Sequence, residues 1–262
     1  DLSRFVFKRK QHHIPKSVKL IGISRWLSDC ARKSTLFQDF DIHMIHNNVN
    51  TQDFFPVHKP IARQILGLPP ERPIILAGTQ NFKDFYKGFT DYLMAVRLLK
   101  SDPLLLFFGS LTSDLARLPG REYVNLGFLH DTVSLRLAYS SADVFVAPSR
   151  MDAFGKTLAE SMACGTPVVC FDATGPKDIV DHRINGYKAK PFDAADLARG
   201  IEWILKESSS SRISDFKQKH DADFSFLPEI GRKARGKVAR QFDSKVVAKQ
   251  YVELYKEILS QK

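Results

Sequence analysis

Short apolar runs alternate with amphipathic stretches along most of this chain, and each kind of run predicts its own secondary structure. Continuous apolar runs bounded by turn residues predict buried strands at 18–24, 42–45, 74–78, 104–109, 123–126, 144–147, 167–171 and 187–189. Apolar positions at helical spacing predict helices at 26–37, 60–66, 89–99, 132–139, 156–163, 194–205, 229–241 and 245–259. This alternation predicts an α/β fold, namely a Rossmann-like parallel sheet with helices on both faces.

Two polar segments interrupt the pattern. Segment 47–58 is rich in turn-forming residues, which predicts a linker between one unit at 1–46 and a second at 59–243. A further helix at 244–262 ends the chain. The serine run at Ser208 begins a polar stretch that continues to about Phe226, and its lack of a hydrophobic period predicts a surface loop or a partly disordered excursion.

Charge is the feature of the composition that changes the picture most. The formal net charge is +10, and two basic clusters supply much of it. They are Arg4, Lys8, Arg9, Lys10, Lys16 and Lys19 near the start, and Arg232, Lys233, Arg235, Lys237 and Arg240 near the end. Such a balance favours nucleotide phosphates, nucleic acid or an anionic membrane as partners, although a solvated surface explains either cluster equally well.

The sequence offers no sign of a membrane span, a disulfide framework or a metal site. No apolar run approaches the roughly 20 residues that cross a bilayer. The three cysteines show no CxxC spacing, so reduced thiols in a cytosolic protein are expected. The two Asp-x-Asp pairs lie before the linker and in the polar stretch, where they give no support to a metal site.

Asp152 and Glu160 are the leading candidates for functional residues. Seven residues separate them, and Phe154 and Gly155 lie between them at the start of the predicted helix 156–163. A helix N-terminus offers free amides to a phosphate, and carboxylates accept hydrogen bonds from sugar hydroxyls. This arrangement favours a ligand that is both phosphorylated and rich in hydroxyl groups.

A second loop contributes positive charge to the same edge of the predicted sheet. In an open α/β sheet, ligands bind beyond the carboxyl ends of the strands, where the strand order reverses. The acidic segment follows the predicted strand 144–147, and loop 78–88 follows the predicted strand 74–78. Both loops can therefore face one crevice, and Lys83 and Lys87 of the second loop suit a pyrophosphate.

Several segments in a fixed order carry a resemblance to a known family. They are Ile45-His-Asn-Asn-Val-Asn50 with Phe55-Pro56, the Lys87-Gly88 pair, Leu126-Gly-Phe128, Ala142-Asp-Val-Phe-Val-Ala-Pro-Ser149, the two acids described above, and Ala163-Cys-Gly-Thr-Pro-Val-Val169. From Leu20 onward the chain resembles retaining glycosyltransferases of family 4, the group 1 glycosyl transferases with the GT-B fold. Those enzymes have two Rossmann-like halves. The resemblance implies that 59–243 is the C-terminal, donor-binding half and that 1–46 is an incomplete end of the N-terminal, acceptor-side half.

The resemblance also implies a role for each matching residue. Glu160 would bind ribose hydroxyls, Asp152 would contact the donor sugar, and Lys87 would neutralise the leaving diphosphate. Asp152 and Lys87 are thus the candidate catalytic residues. The candidate donor-binding residues are Glu160, Phe154, Gly155, Lys156, Thr157, Lys83, Gly78, Thr79, Val124 and Asn125, with the base expected near the last two.

The implied reaction transfers a sugar from a nucleotide-diphosphate sugar to a glycan or lipid-linked acceptor, with retention of configuration and without a metal or cofactor. A cytoplasmic location with peripheral contact to an anionic inner membrane face is expected, and nucleic acid is not an expected partner. This chain alone is expected to bind the nucleotide but to transfer sugar poorly or not at all. Another GT-B enzyme, such as an epimerase or a phosphorylase, and a non-enzymatic basic binding module remain as alternatives.

Two positions depart from the family pattern. Thr79 follows Gly78 where the family usually has an arginine, and Lys83 is the candidate to supply the missing charge. Asp152 stands where glutamate is usual, which shortens its reach toward the sugar by one methylene group. Neither departure removes the predicted site.

Overall fold

The computed structural model describes residues 2–110, 120–214 and 224–260 of the chain. Its strands are β1 (Lys19–Gly22), β2 (Asp41–Met44), β3 (Ile74–Asn81), β4 (Leu104–Ser110), β5 (Tyr123–Asn125), β6 (Val144–Ala147), β7 (Val168–Phe171) and β8 (Gly186–Ala189). Its helices are α1 (Leu2–His13), α2 (Arg25–Arg32), α3 (Lys59–Ile65), α4 (Phe89–Arg97), α5 (Thr132–Ser141), α6 (Lys156–Ala163), α7 (Ala194–Ser214), α8 (Glu229–Gln241) and α9 (Ser244–Ser260). Strands and helices alternate as predicted, and the α/β fold class is confirmed.

Six of the strands form one parallel sheet in the order β5-β4-β3-β6-β7-β8. The chain enters this sheet at β3, moves outward to β4 and β5, and returns to β6 on the other side of β3. The strand order therefore reverses between β3 and β6, which is the place where open α/β sheets bind ligands. Strands β1 and β2 form a separate two-stranded parallel sheet.

Alternate side chains of the strands supply two apolar cores, one on each face of the six-stranded sheet. In β3, Ile74 and Leu76 belong to the core shared with α5, α6 and α8. Ile75 and Ala77 belong to the core shared with α4 and α7. Because helices cover both faces, the strands are apolar on both sides, and this explains why the sequence shows continuous apolar runs.

A buried ion network fixes the amino end of β6. The Asp143 carboxylate accepts hydrogen bonds from the Arg63 guanidinium (2.7 Å), from Lys59 Nζ (2.6 Å) and from the Ile74 amide (2.8 Å). Burial alone would raise the pKa of Asp143, but the charges of Lys59 and Arg63 outweigh it and hold this pKa below its ordinary value. The network ties α3 and β3 to the strand that leads into the acidic segment.

Several elements differ from those predicted from sequence. Helix α2 ends at Arg32 and not at residue 37, because the chain turns after it and the Phe37 amide donates to the Ser34 carbonyl (3.1 Å). Helix α7 continues past Ser208 to Ser214, so the predicted loop is wrong over its first residues; 215–223 lie outside the described residues. Serine costs a propagating helix only about half a kcal/mol relative to alanine, too little to end it. Strand β3 runs to Asn81 because the extra residues pair with β4. Helix α1 was not predicted, since it buries no residue and has no core-facing apolar stripe.

Segment 47–58 is tied to the junction of α8 and α9. The Val49 amide donates to the Phe242 carbonyl (2.8 Å), and the Thr51 hydroxyl donates to the Asp243 carboxylate (2.6 Å). Beyond this junction, α9 packs Val247 against the end of β2 in a small apolar cluster of its own. The division into domains at 1–46, 47–58, 59–243 and 244–262 stays a prediction.

The two basic clusters differ in what they contact. Arg235 donates to the carbonyls of Phe54 and Ala163, and Lys237 pairs with Asp181, so much of the second cluster serves the fold. Every side chain of α1 is exposed, including Arg4, Lys8, Arg9 and Lys10 of the first cluster. Lys16 and Lys19 follow the helix and pair with Asp39 and Asp41. None of the helices in the described ranges has the length and apolar character to cross a membrane. Peripheral contact with an anionic membrane stays a prediction.

Candidate functional site

The loops that follow β3 and β6 meet where the strand order reverses. The Arg150 amide donates to the Tyr86 carbonyl (2.8 Å), which joins the two loops directly. Gly88, with a φ of +69°, ends the first loop, and a Cβ there would lie 1.9 Å from the Pro148 carbonyl oxygen of the second. Only glycine permits both this conformation and this approach. The two loops that the sequence placed at one edge of the sheet are therefore in contact.

Lys87 and Asp152 form an ion pair across this junction. Lys87 Nζ lies 3.0 Å from Asp152 Oδ2, and the two side chains are 34% and 23% exposed. The structure thus brings the two candidate catalytic residues together. Because the pair is partly open to solvent, a phosphate oxygen could replace the carboxylate at Lys87 without the large desolvation cost of a buried pair.

Three backbone contacts hold Asp152 in place. Its Oδ1 accepts from the Phe154 amide (3.1 Å), its own amide donates to Thr174 Oγ1 (3.3 Å), and its carbonyl accepts from the Gly175 amide (3.0 Å). Thr174 has a φ of +50°, which β-branched residues rarely adopt. Strained backbone of this kind clusters at functional sites, and here it directs the Thr174 hydroxyl toward the backbone of Asp152.

The start of α6 offers backbone amides to an anion. Its N-cap is Gly155, with a φ of +98°, and this residue has no side chain with which to cap the first turn. The first turn of α6, with the amides of Lys156 and Thr157, therefore has no side-chain cap, and an uncapped helix start of this kind suits an anion. The Phe154 ring is buried in the core, and the backbone amide of Phe154 already donates to the Asp152 carboxylate. Phe154 thus helps to form the site through its position in the fold.

Glu160 lies one turn into α6 and is buried. Its Oε2 accepts a hydrogen bond from the Tyr139 hydroxyl of α5 at 3.0 Å. Burial raises the pKa of Glu160, while the Tyr139 hydrogen bond and the charge of Lys156 act in the opposite direction. A buried carboxylate held in this way is a fixed acceptor for hydroxyl groups.

Gly78 and Thr79 both lie in β3, although the sequence predicts that the strand ends at Gly78 and that Thr79 belongs to the loop. A Cβ on Gly78 would fall 2.1 Å from the Phe108 ring, so the glycine is needed for packing between neighbouring strands. Thr79 pairs with Gly109 of β4. The loop before Lys87 is therefore shorter than predicted, because sheet pairing continues beyond the apolar run.

The other predicted donor-binding residues are Lys83, Val124 and Asn125. Lys83 is exposed on the loop after β3. Val124 and Asn125 belong to the edge strand β5, where Val124 is half-buried and Asn125 Oδ1 accepts from the Gly127 amide (3.0 Å). Their contact with a base stays a prediction. Across the described part of the chain, no three His, Cys, Asp or Glu side chains cluster in a way that could hold a metal ion.

Arg150 is a supporting residue that the sequence analysis missed. Its guanidinium makes two hydrogen bonds of 2.7 Å to the buried Asp91 carboxylate of α4. The same group lies 5.0 Å from the Phe85 ring centre and 5.1 Å from that of Phe192. Arg150 therefore clamps the acidic loop onto α4. Its position two residues before Asp152 was visible in the sequence, but its partner 59 residues away was not.

Gly88→Ala should destabilise the protein by forcing the two loops apart. We expect a loss of about 2–3 kcal/mol, from left-handed backbone strain and from the clash with the Pro148 carbonyl. Gly67→Ala is the matched control, because Gly67 has a φ of +64° and an added Cβ there meets nothing within 4 Å. Chemical denaturation of both variants measures the difference. Equal losses would mean that the loop contact costs nothing to break.

Comparison with known proteins identifies the family. The chain belongs to the glycosyl transferases group 1, whose family model matches residues 59–220, more than half of the sequence. It is 32% identical to an uncharacterized glycosyltransferase of Methanocaldococcus jannaschii, over 52% of this chain and 30% of that protein. It is 23% identical to the N,N'-diacetylbacillosaminyl-diphospho-undecaprenol alpha-1,3-N-acetylgalactosaminyltransferase of Campylobacter jejuni, over 80% of this chain and 53% of that enzyme.

Solved structures share the fold. The sucrose-phosphate synthase of Thermosynechococcus elongatus superimposes with a TM-score of 0.77 at 24% identity, covering 100% of this chain and 63% of that one. Anabaena HepE, solved in complex with UDP-glucose, gives a TM-score of 0.70 at 17% identity, covering 98% and 70%. The predicted membership of the group 1 glycosyl transferases and the GT-B type of fold are therefore confirmed. Retention of configuration and assignment to family 4 stay predictions. The chain spans about half the length, or less, of the curated relatives that it matches.

Proposed function

We propose that this chain is the donor-binding half of a retaining glycosyltransferase. The reaction moves a sugar from a nucleoside-diphosphate sugar to a glycan or a lipid-linked acceptor. The chain takes the donor side of this reaction because its six-stranded unit carries the whole candidate site. By itself it binds the nucleotide and transfers sugar poorly or not at all.

The observation that carries this proposal is the contact of Lys87 with Asp152 beside the first turn of α6. A cation and free amides suit a diphosphate, and the carboxylates of Asp152 and Glu160 suit the hydroxyls of a sugar and a ribose. The UDP-glucose bound to HepE supports a nucleotide-sugar donor. The undecaprenol named in the Campylobacter relative supports a lipid-linked acceptor.

In the proposed reaction each group acts on a defined atom. As the bond between the anomeric carbon and the phosphate oxygen breaks, negative charge grows on the leaving diphosphate. Lys87 and the amides of Lys156 and Thr157 stabilise this charge. The acceptor hydroxyl bonds to the anomeric carbon on the same face, and its proton passes to the leaving phosphate oxygen. The proposed reaction needs no metal or cofactor.

Thermal-shift measurements with UDP, GDP, ADP and their sugar conjugates test donor binding. A nucleotide present at a hundred times its Kd stabilises the native state by about 2.7 kcal/mol and raises Tm. Glu160→Gln should lower the affinity for the nucleotide that binds best by about tenfold, because a charged acceptor for the ribose hydroxyls is lost. The same variant should bind inorganic pyrophosphate as the wild type does.

The outcomes separate the proposal from its alternatives. Glu257→Gln, an exposed change on α9, is the control and should leave nucleotide binding unchanged. A basic binding module predicts binding that collapses with salt and ignores Glu160→Gln. An epimerase or phosphorylase predicts turnover of the sugar donor without a sugar acceptor. Failure of every nucleotide to raise Tm would end the proposal.

A further inference from the structure

We propose that Tyr139 is a positioning residue that fixes the Glu160 carboxylate for nucleotide binding. The inference rests on the proposed function, in which Glu160 binds the ribose. It adds a residue of α5 to a site otherwise built from the loops after β3 and β6 and from α6. The sequence gives no sign of this role, because Tyr139 lies 21 residues before its partner.

Tyr139 is held rigidly enough to orient another side chain. The residue is fully buried, and its ring packs edge-on against Phe145 and Phe108, with centroids 5.4 and 5.7 Å away. Its backbone carbonyl accepts a hydrogen bond from the buried Thr166 hydroxyl at 2.7 Å. Both ends of the residue are therefore fixed, and the phenolic oxygen has one position in the fold.

The Tyr139 hydroxyl binds one carboxylate oxygen of Glu160 and leaves the second oxygen available to a ligand. It donates to Oε2 at 3.0 Å, and within the described part of the chain the carboxylate receives no other hydrogen bond. Oε1 has no hydrogen-bond partner among the residues that the structure describes and is not fully buried, so a ligand can reach it. A ribose hydroxyl can donate to Oε1 while Tyr139 keeps the carboxylate from rotating.

The surroundings also set the charge of this pair. Lys156 lies one turn before Glu160 and Cys164 one turn after it, and both interact with the carboxylate. Arg136 of α5 and Arg235 of α8 carry charges that interact with Cys164. Burial and the Glu160 charge raise the pKa of Tyr139, so its hydroxyl stays a donor. Burial raises the pKa of Glu160, and the Tyr139 hydrogen bond limits that rise.

Tyr139→Phe removes the hydroxyl and keeps the ring. We expect the best-binding of UDP, GDP and ADP to bind about tenfold more weakly, the effect of losing a hydrogen bond to a charged group. The charged carboxylate is the binding form, so affinity falls as the pH falls through the pKa of Glu160. Without the hydroxyl this pKa is higher, and the fall should begin at a higher pH than in the wild type. Calorimetric titrations from about pH 5 to about pH 8 measure both effects.

Two variants separate positioning from general damage to the fold. Tyr187→Phe removes a tyrosine hydroxyl that donates to the Asp196 carboxylate (2.8 Å) in the other apolar core, so it should lower stability without moving the pH profile. Glu160→Gln should flatten the profile, and adding Tyr139→Phe to it should cause little further loss, because the two residues act as one unit. Independent, additive losses from Tyr139→Phe and Glu160→Gln would contradict positioning.

Replacement of tyrosine by 3-fluorotyrosine keeps the test decisive if Tyr139→Phe does not fold. The fluorinated ring keeps its shape and makes the hydroxyl a stronger donor, so the pH profile should move to lower pH. An unmoved profile, or Tyr139→Phe affinity within about twofold of the wild type at every pH, overturns the inference. If the wild type binds none of the three nucleotides, the proposed function fails instead.

Discussion

Lys87→Ala should reduce affinity for a nucleoside diphosphate by about a hundredfold. The substitution removes the cation that would bind the diphosphate. It also leaves the Asp152 carboxylate, which lies 3.0 Å from Lys87 Nζ in the wild type, without its cationic partner. Both changes act against an anionic ligand. The fold should be kept, because the lysine is partly exposed and the loops remain joined through their backbones. Isothermal titration with UDP, GDP and ADP measures the loss, and denaturation checks the fold.

Asp152→Asn is the matched variant, since it cuts the same ion pair from the other side. It keeps the size of the side chain and frees Lys87 for the phosphate, so nucleoside diphosphates should bind at least as well as in the wild type. Preference for the sugar conjugate over the bare diphosphate should fall, because an acceptor for sugar hydroxyls is weakened. If both variants weaken UDP, GDP and ADP equally, the pair serves structure and Lys87 has no special role toward phosphate.

Lys83→Ala tests the idea that a second lysine replaces the arginine usual in the family. Lys83 is exposed and lies four residues before Lys87 on the same loop. A loss about as large as that of Lys87→Ala would mean that both cations meet the diphosphate. Unchanged affinity would remove Lys83 from the candidate donor-binding residues and leave Lys87 as the charge supplied by this loop.

The sequence predicted most of the sheet because burial on both faces leaves a strong local signal. The run from Ile74 to Ala77 is apolar at every position, and the structure divides it between two cores. The signal fades where pairing continues with polar residues, and this is why β3 extends to Asn81 beyond its predicted end. In the same way, the serines from Ser208 onward gave no apolar period, although α7 continues through them.

The candidate site was predictable where its chemistry is local in the chain. Asp152, Gly155 and Glu160 lie within one short segment, and their spacing around a helix start makes them candidates. The contacts that support them were not predictable, because they join distant segments. Arg150 is hydrogen-bonded to Asp91, and Glu160 to Tyr139. The partners of each pair come from different helices and loops, which become neighbours only in the folded sheet.

Asp143→Ala should be the most destabilising of the substitutions considered, with a loss of about 3–5 kcal/mol in the free energy of unfolding. Arg63 is only 1% exposed, so removal of Asp143 leaves a guanidinium charge in the interior without its counter-ion. The Ile74 amide loses its acceptor as well. Urea denaturation of both proteins measures the difference. Asp102→Ala is the control: Asp102 pairs with arginines at the surface, is 72% exposed, and should contribute about 1 kcal/mol or less.

The pH dependence of this loss follows from the direction of the Asp143 pKa. Because the folded protein holds that pKa below its ordinary value, Asp143 contributes stability above the pKa of the unfolded chain. That contribution is lost as the pH falls through the folded pKa, so wild type and Asp143→Ala should converge in acid. A difference that stays constant to low pH would contradict this account.

Arg63→Met combined with Asp143→Leu should recover part of the stability that Asp143→Ala loses, since an apolar pair needs no counter-ion. Recovery would show that the fold needs a filled interior at this point more than it needs these charges.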